Sequence, residues 1–144
     1  MFENAQLSLF AAGRDFAPVI LVVDDDDSAR GGTAKLLRRA GFAVYTAGTG
    51  TEGLAIFTAA HSAIDLLVTD VQMPGMQGDQ LVERIRTLTP GLPVVFVSGD
   101  RRFATLAETT PGPTTFLEKP FLQTELLASV NAVWTSSRPI AGRA

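Results

Sequence analysis

Apolar residues fall into two alternating patterns along this chain. Short runs rich in aliphatic and β-branched residues occur at PVILVVD (18–24), FAVYTA (42–47), AIDLLVTD (63–70), LPVVFVSG (92–99) and TTFLEK (114–119). Between them lie longer stretches with helical spacing: DSARGGTAKLLRRAG (27–41), GTEGLAIFTAAHS (50–62), GDQLVERIRTLTPG (78–91), DRRFATLAETT (100–110) and LQTELLASVNAVWTS (122–136). The short runs predict buried strands and the longer stretches predict helices. Strands that alternate with helices of this length are joined by crossovers, which makes the sheet parallel and covers both its faces. The expected fold class is α/β, a doubly wound five-stranded parallel sheet.

Several boundaries carry their own chemistry. Gly41, followed by Phe42, predicts a C-cap for the first helix, and Pro90–Gly91 closes the third. Gly31 and Gly32 weaken the first helix, at roughly 1 kcal/mol each against alanine. The fourth helix is short and is cut off by Pro111 and Pro113, so it is expected to be short or mobile. Phe57, Phe96 and Leu127 are expected in the core.

Composition narrows the chemistry. The chain has 144 residues, 46% of them hydrophobic and 19% charged, the balance of one globular domain. A net charge of −3 gives no general reason to bind nucleic acid or an anionic membrane. Cysteine is absent, which removes disulfides and thiol chemistry, and His61 is the sole histidine, expected to be a solvated bystander. Residues 1–16 do not read as a signal peptide or a membrane span, so a cytoplasmic protein is expected. The chain divides into an N-terminal extension (1–16), a central domain (17–137) and a C-terminal tail (138–144).

Ligand chemistry in an open parallel sheet gathers at the carboxyl ends of the strands. The first strand ends in Asp24 and Asp25, the third in Asp70, the fourth in Ser98 and the fifth in Lys119–Pro120. Each residue alone has an ordinary reading as a cap, a turn or a surface charge. Together they bring carboxylates, a hydroxyl and an ammonium to one mouth. Clustered carboxylates suit Mg²⁺, a lysine and a serine suit phosphoryl oxygens, and a carboxylate can itself be the nucleophile. The residues therefore point to a Mg²⁺-dependent phosphoaspartate site. An EF-hand reading of Asp24–Asp27 fails, because the loop glycine and closing glutamate are absent.

Two families form aspartyl phosphates at such strand ends. Haloacid dehalogenase-like phosphatases fit VVDDDDS loosely, with Asp24 as nucleophile and Asp26 as acid–base, but the late acidic motif is missing and Asp70 is left without a role. From about Pro18 to Thr135 the chain strongly resembles a response-regulator receiver domain of two-component signalling. The resemblance is carried by ILVVDDD, DLLVTDVQMPGMQG, PVVFVSGD and FLEKPF.

That resemblance implies a flavodoxin-like (βα)5 sheet of strand order 2-1-3-4-5. It also implies that Asp70 takes a phosphoryl group from a phosphohistidine on a histidine kinase or histidine phosphotransfer protein. Asp25, Asp70 and the backbone carbonyl of Gln72 would hold Mg²⁺, with Asp24 acting through its water. Lys119 would pair with the phosphoryl oxygens, and its bond to Pro120 would be cis. Ser98 would turn inward past small Gly99, and Phe116 would fill the space vacated, by packing alone because it lacks a hydroxyl. The signalling surface would be residues 99–116. Asp26 and Asp27 depart from the family pattern, with Asp27 a simple cap of the first helix, and Gln72 and Asp100 stand where the family tunes phosphoryl lifetime. No DNA-binding module or effector follows the fifth helix, so a stand-alone receiver or the receiver of a hybrid kinase is expected, with no nucleic-acid or membrane partner.

Overall fold

The computed structural model describes residues 18–60 and 63–137; the expectations for residues 1–16, Ala17, His61 and 138–144 lie outside the described residues. In chain order the elements are β1 (Val19–Val23), α1 (Asp27–Arg39), β2 (Ala43–Ala47), α2 (Gly50–Ala60), β3 (Leu66–Asp70), α3 (Gly78–Leu88) and β4 (Val94–Ser98). A 3-10 helix (Arg101–Thr105), α4 (Leu106–Thr109), β5 (Thr114–Glu118) and α5 (Gln123–Ser137) complete it. The strands form one parallel sheet in the order β2-β1-β3-β4-β5. The chain therefore switches direction beside β1, and the ends of β1 and β3 lie next to each other at the sheet's centre. The parallel sheet is the one the alternating pattern predicts, and its strand order is the one the family resemblance implies.

Period-two alternation divides the core between the two faces of the sheet. Ile20, Val22, Leu66, Val68, Val95 and Val97 meet Leu37 of α1 and Leu126, Leu127, Val130 and Trp134 of α5. Leu21, Val23, Leu67, Val94 and Phe96 meet Phe57 of α2 and Leu81, Val82 and Ile85 of α3 on the other side. Phe57, Phe96 and Leu127 are fully buried, as expected. β3 and β4 are buried along their whole length, so the polar residues that end them sit at the rim of a dry core.

Local signals set several boundaries. α1 ends in a Schellman motif: Gly41 N donates to Arg38 O at 3.0 Å and Phe42 N to Leu37 O at 3.2 Å, with Gly41 at φ 102°. Gly78 is required by space, because a Cβ there would lie 2.1 Å from the backbone oxygen of Asp70. The first turn of α3 is thereby pressed against the end of β3. α4 is four residues long, as Pro111 and Pro113 foretold.

That weak segment has an anchor with no sequence signature. The half-buried Arg86 guanidinium, near the end of α3, donates to Leu92 O from Nε (3.1 Å) and Nη2 (2.8 Å). It also reaches Pro113 O at 2.9 Å, Thr114 Oγ1 at 3.1 Å and Pro111 O. One side chain thus ties α3 to the turns before β4 and β5. Burial lowers its pKa, and its partners are carbonyls and a hydroxyl rather than a carboxylate. Arg86→Ala should cost about 1–3 kcal/mol, the loss expected when part-buried carbonyls are left unpaired. Arg86→Lys should recover little, because an ammonium lacks the planar fork. Denaturant unfolding checks this, and an Arg86→Ala midpoint equal to wild type would rule out the anchor.

Candidate functional site

The ends of β1, β3, β4 and β5 bring Asp24, Asp25, Asp70, Ser98 and Lys119 together. Asp24, Asp70 and Ser98 are buried (2%, 8% and 3% exposed), whereas Asp25 faces solvent. Carboxylate oxygens of Asp24, Asp25 and Asp70 lie within 4.8 Å of one another. Lys119 Nζ sits against this group, 2.8 Å from Asp24 Oδ2 and 3.5 Å from Asp70 Oδ2. The Lys119–Pro120 bond is cis.

The run of four aspartates is divided among four tasks. Asp24 is engaged at both oxygens: Oδ1 accepts from Asp26 N at 2.9 Å and Oδ2 holds Lys119. Asp25 faces the cluster from the solvent side. Asp26, with extended backbone, accepts from Ala29 N at 2.9 Å and caps α1; this bond, first among the causes, lowers its pKa. Asp27 is therefore not the cap expected from the sequence. It is the first helical residue, and a cap must stand one position earlier, outside helical geometry. Its carboxylate instead pairs with Arg30 Nη2 at 2.6 Å, while Arg30 Nη1 donates to Asp24 O at 2.8 Å. Arg30 was not singled out in the sequence, although its position three residues after Asp27 was a usable signal.

Asp70 is the unusual carboxylate. Oδ1 accepts from Val71 N at 3.0 Å, and Oδ2 points to the ammonium side. Burial pushes its pKa up to about 6; Lys119 opposes the shift, and the nearby Asp24 and Asp25 add to it. Burial also opposes the charge on Lys119, but its bond to Asp24 and the charges of Asp70 and Asp24 outweigh it and raise the pKa. A net excess of negative charge in a half-dry site, with only one ammonium, fits a hard divalent cation. The Gln72 carbonyl, in the exposed loop after β3, accepts no hydrogen bond from the described residues and is available as an oxygen donor.

The remaining expected residues lie around this centre. Ser98 Oγ accepts from Asp100 N at 3.0 Å. Gly99 is exposed, with open space where a Cβ would stand. Phe116 of β5 is half-buried opposite Phe96 of β4 and packs on the α2–α3 face. The phosphatase alternative gains nothing from this geometry. Asp26, the acid–base it requires, has its carboxylate turned to cap α1.

The raised pKa of Asp70 has a sign that can be measured. The folded, metal-free protein holds that proton more tightly than the unfolded chain does. Stability should therefore fall as pH rises from the ordinary aspartate value of 3.8 through about 6 and then level off. Asp70→Asn lacks this loss, so in chelator it should melt above wild type near neutral pH and converge with it below the ordinary carboxylate range. Parallel melting curves for the two proteins across that range would contradict the assignment.

Comparison with known proteins identifies the family. The family model described as response regulator receiver domain matches residues 20–131. The chain is 34% identical over 113 residues to sensor kinase CckA of Brucella abortus, covering 77% of this chain and 12% of the kinase. It is 36% identical over 121 residues to transcriptional regulatory protein PrrA of Mycobacterium tuberculosis, covering 81% of this chain and 50% of PrrA. Among solved structures, a response regulator receiver domain protein from Clostridium thermocellum superposes with a TM-score of 0.75 at 32% identity, covering 83% of this chain and 95% of that one. The chain thus spans half or less of these two curated relatives. By sequence and by fold, it belongs to the response regulator receiver domain family.

Proposed function

We propose that Asp70 is the phosphoacceptor of this receiver and that the strand-end cluster is its Mg²⁺ site. The observation that carries the reading is the buried Asp70 carboxylate. One oxygen is fixed by Val71 N, and the other lies 3.5 Å from Lys119 Nζ. That oxygen would attack the phosphorus of a phosphohistidine. The P–N bond breaks, its electron pair stays on the imidazole nitrogen, and the donor ring leaves neutral once it is protonated. Asp25, Asp70 and the Gln72 carbonyl would hold Mg²⁺ directly, and Asp24 through a water. Bound there, the cation would neutralise charge on the phosphoryl oxygens. Lys119 then serves as a point charge for the phosphoryl group.

The signal follows from the added charge. Ser98, turned toward the phosphoryl group, donates a charge-assisted hydrogen bond and leaves Asp100 N. Phe116, half-buried beside it, is the bulky side chain that repacks, and residues 99–116 change with it. The change is a population shift between two packings. The domain itself spans 17–137, with 1–16 and 138–144 as flanking segments.

The donor is a histidine kinase or a histidine phosphotransfer protein. A cavity of about 600 Å³ beside the site is lined by Ala29, Gly32, Leu36 and Phe121, with Lys35 and Arg39 among its other residues, and reaches Lys119. It suits an apolar helix surface with acidic residues. Among the described residues no helix is long and apolar enough to cross a membrane.

Labelling with acetyl phosphate and Mg²⁺ should place one acid-labile phosphate on Asp70. Asp70→Asn should lower uptake to background, a chelator should abolish it, and Asp25→Ala should need more Mg²⁺. Uptake by Asp70→Asn at the wild-type rate would overturn the reading.

A further inference from the structure

Ser98 is held in place by the residues just beyond it. Its Oγ accepts from Asp100 N at 3.0 Å, so that amide holds the resting oxygen in place while the O–H stays free to donate. Asp100 is itself clasped by Arg102. One carboxylate oxygen accepts from Arg102 N at 2.9 Å, and the guanidinium grips both oxygens, with Nε at 3.0 and 3.1 Å and Nη2 at 2.6 Å. The backbone bond alone is enough to cap the 3-10 helix that begins at Arg101. The side-chain fork adds a second hold. The Arg102 side chain is 88% exposed, so core packing does not account for its placement.

We propose that Arg102 is a positioning residue which, through Asp100, latches Ser98 in its resting orientation and sets how readily Ser98 turns toward Asp70. The inference rests on the reading of Asp70 as phosphoacceptor. Turning Ser98 inward breaks its bond to Asp100 N, and a rigid 100–102 turn keeps that amide in position to recapture it. Loosening the fork lets the amide drift and lowers the cost of the turn. Removing a cation near the site would by itself slow capture of an anionic donor. The latch and the bare charge effect therefore have opposite signs.

The test is the rate of Asp70 labelling by acetyl phosphate with Mg²⁺ in wild type, Arg102→Ala and Arg102→Lys, and again with Ser98→Ala in each. Arg102→Ala should label faster by about threefold at low salt, the size an exposed ion pair carries. The gap should narrow as salt screens the pair. Arg102→Lys should fall between, because an ammonium cannot grip both oxygens. In the Ser98→Ala background the acceleration should vanish and leave only the slowing that loss of the charge brings, since the latch acts only through that hydroxyl. Equal or slower labelling of Arg102→Ala, or an acceleration that persists without the Ser98 hydroxyl, would overturn the latch. A wild type that takes up no phosphate removes the parent reading as well, and the wild-type measurement alone reveals that.

Discussion

The site depends on one ammonium. Lys119 Nζ lies 2.8 Å from Asp24 and 3.5 Å from Asp70, and without it three carboxylates would share a half-dry space with no positive charge among them. Lys119 reaches them from just beyond β5, an edge strand, whereas Asp24 follows β1 and Asp70 ends β3, both inside the sheet. The ion pair thus draws the edge of the sheet toward its centre at the end where the chemistry sits. A buried ion pair adds little net stability once desolvation is counted. Its value lies in specifying which groups meet. An ammonium already shared between two carboxylates is also poised to be handed to phosphoryl oxygens.

The rest of the site follows from keeping the other charges out of that space. Asp26 and Asp27 belong to the same acidic run but are taken up by the α1 N-terminus and by Arg30. Asp25 remains exposed beside the buried pair. The cluster is left with enough negative charge to attract a cation, but not so much that it cannot form. Gly78 and Arg86 fix the two ends of α3, one against the Asp70 backbone and the other against the turn before β5. One rigid helix therefore spans the distance between the acceptor strand and the segment expected to carry the signal.

Much of this was legible in the sequence because the signals are local. Each strand is a short apolar run ending in a polar residue, so Asp24, Asp70, Ser98 and Lys119 could be placed at one mouth before any coordinates. Gly41 with Phe42 announced the C-cap of α1, and Pro111 and Pro113 announced a short α4. The misassignment of Asp27 as cap was an error of one position. Four identical side chains give no clue to where helical geometry begins. Arg86 was invisible for a deeper reason. Its partners include backbone carbonyls up to 27 residues away, and a carbonyl has no residue identity to read. Arg102 was hidden in the same way, because its role depends on the turn geometry that Asp100 creates.

The account stands most directly on the charge balance between Lys119 and Asp70, which carboxyl-carbon NMR can titrate. In metal-free protein the Asp70 resonance should titrate at about 6, and in Lys119→Met it should titrate at higher pH, because the ammonium that opposes the shift is gone. An Asp70 that titrates in the ordinary aspartate range, or at the same pH in both proteins, would contradict it.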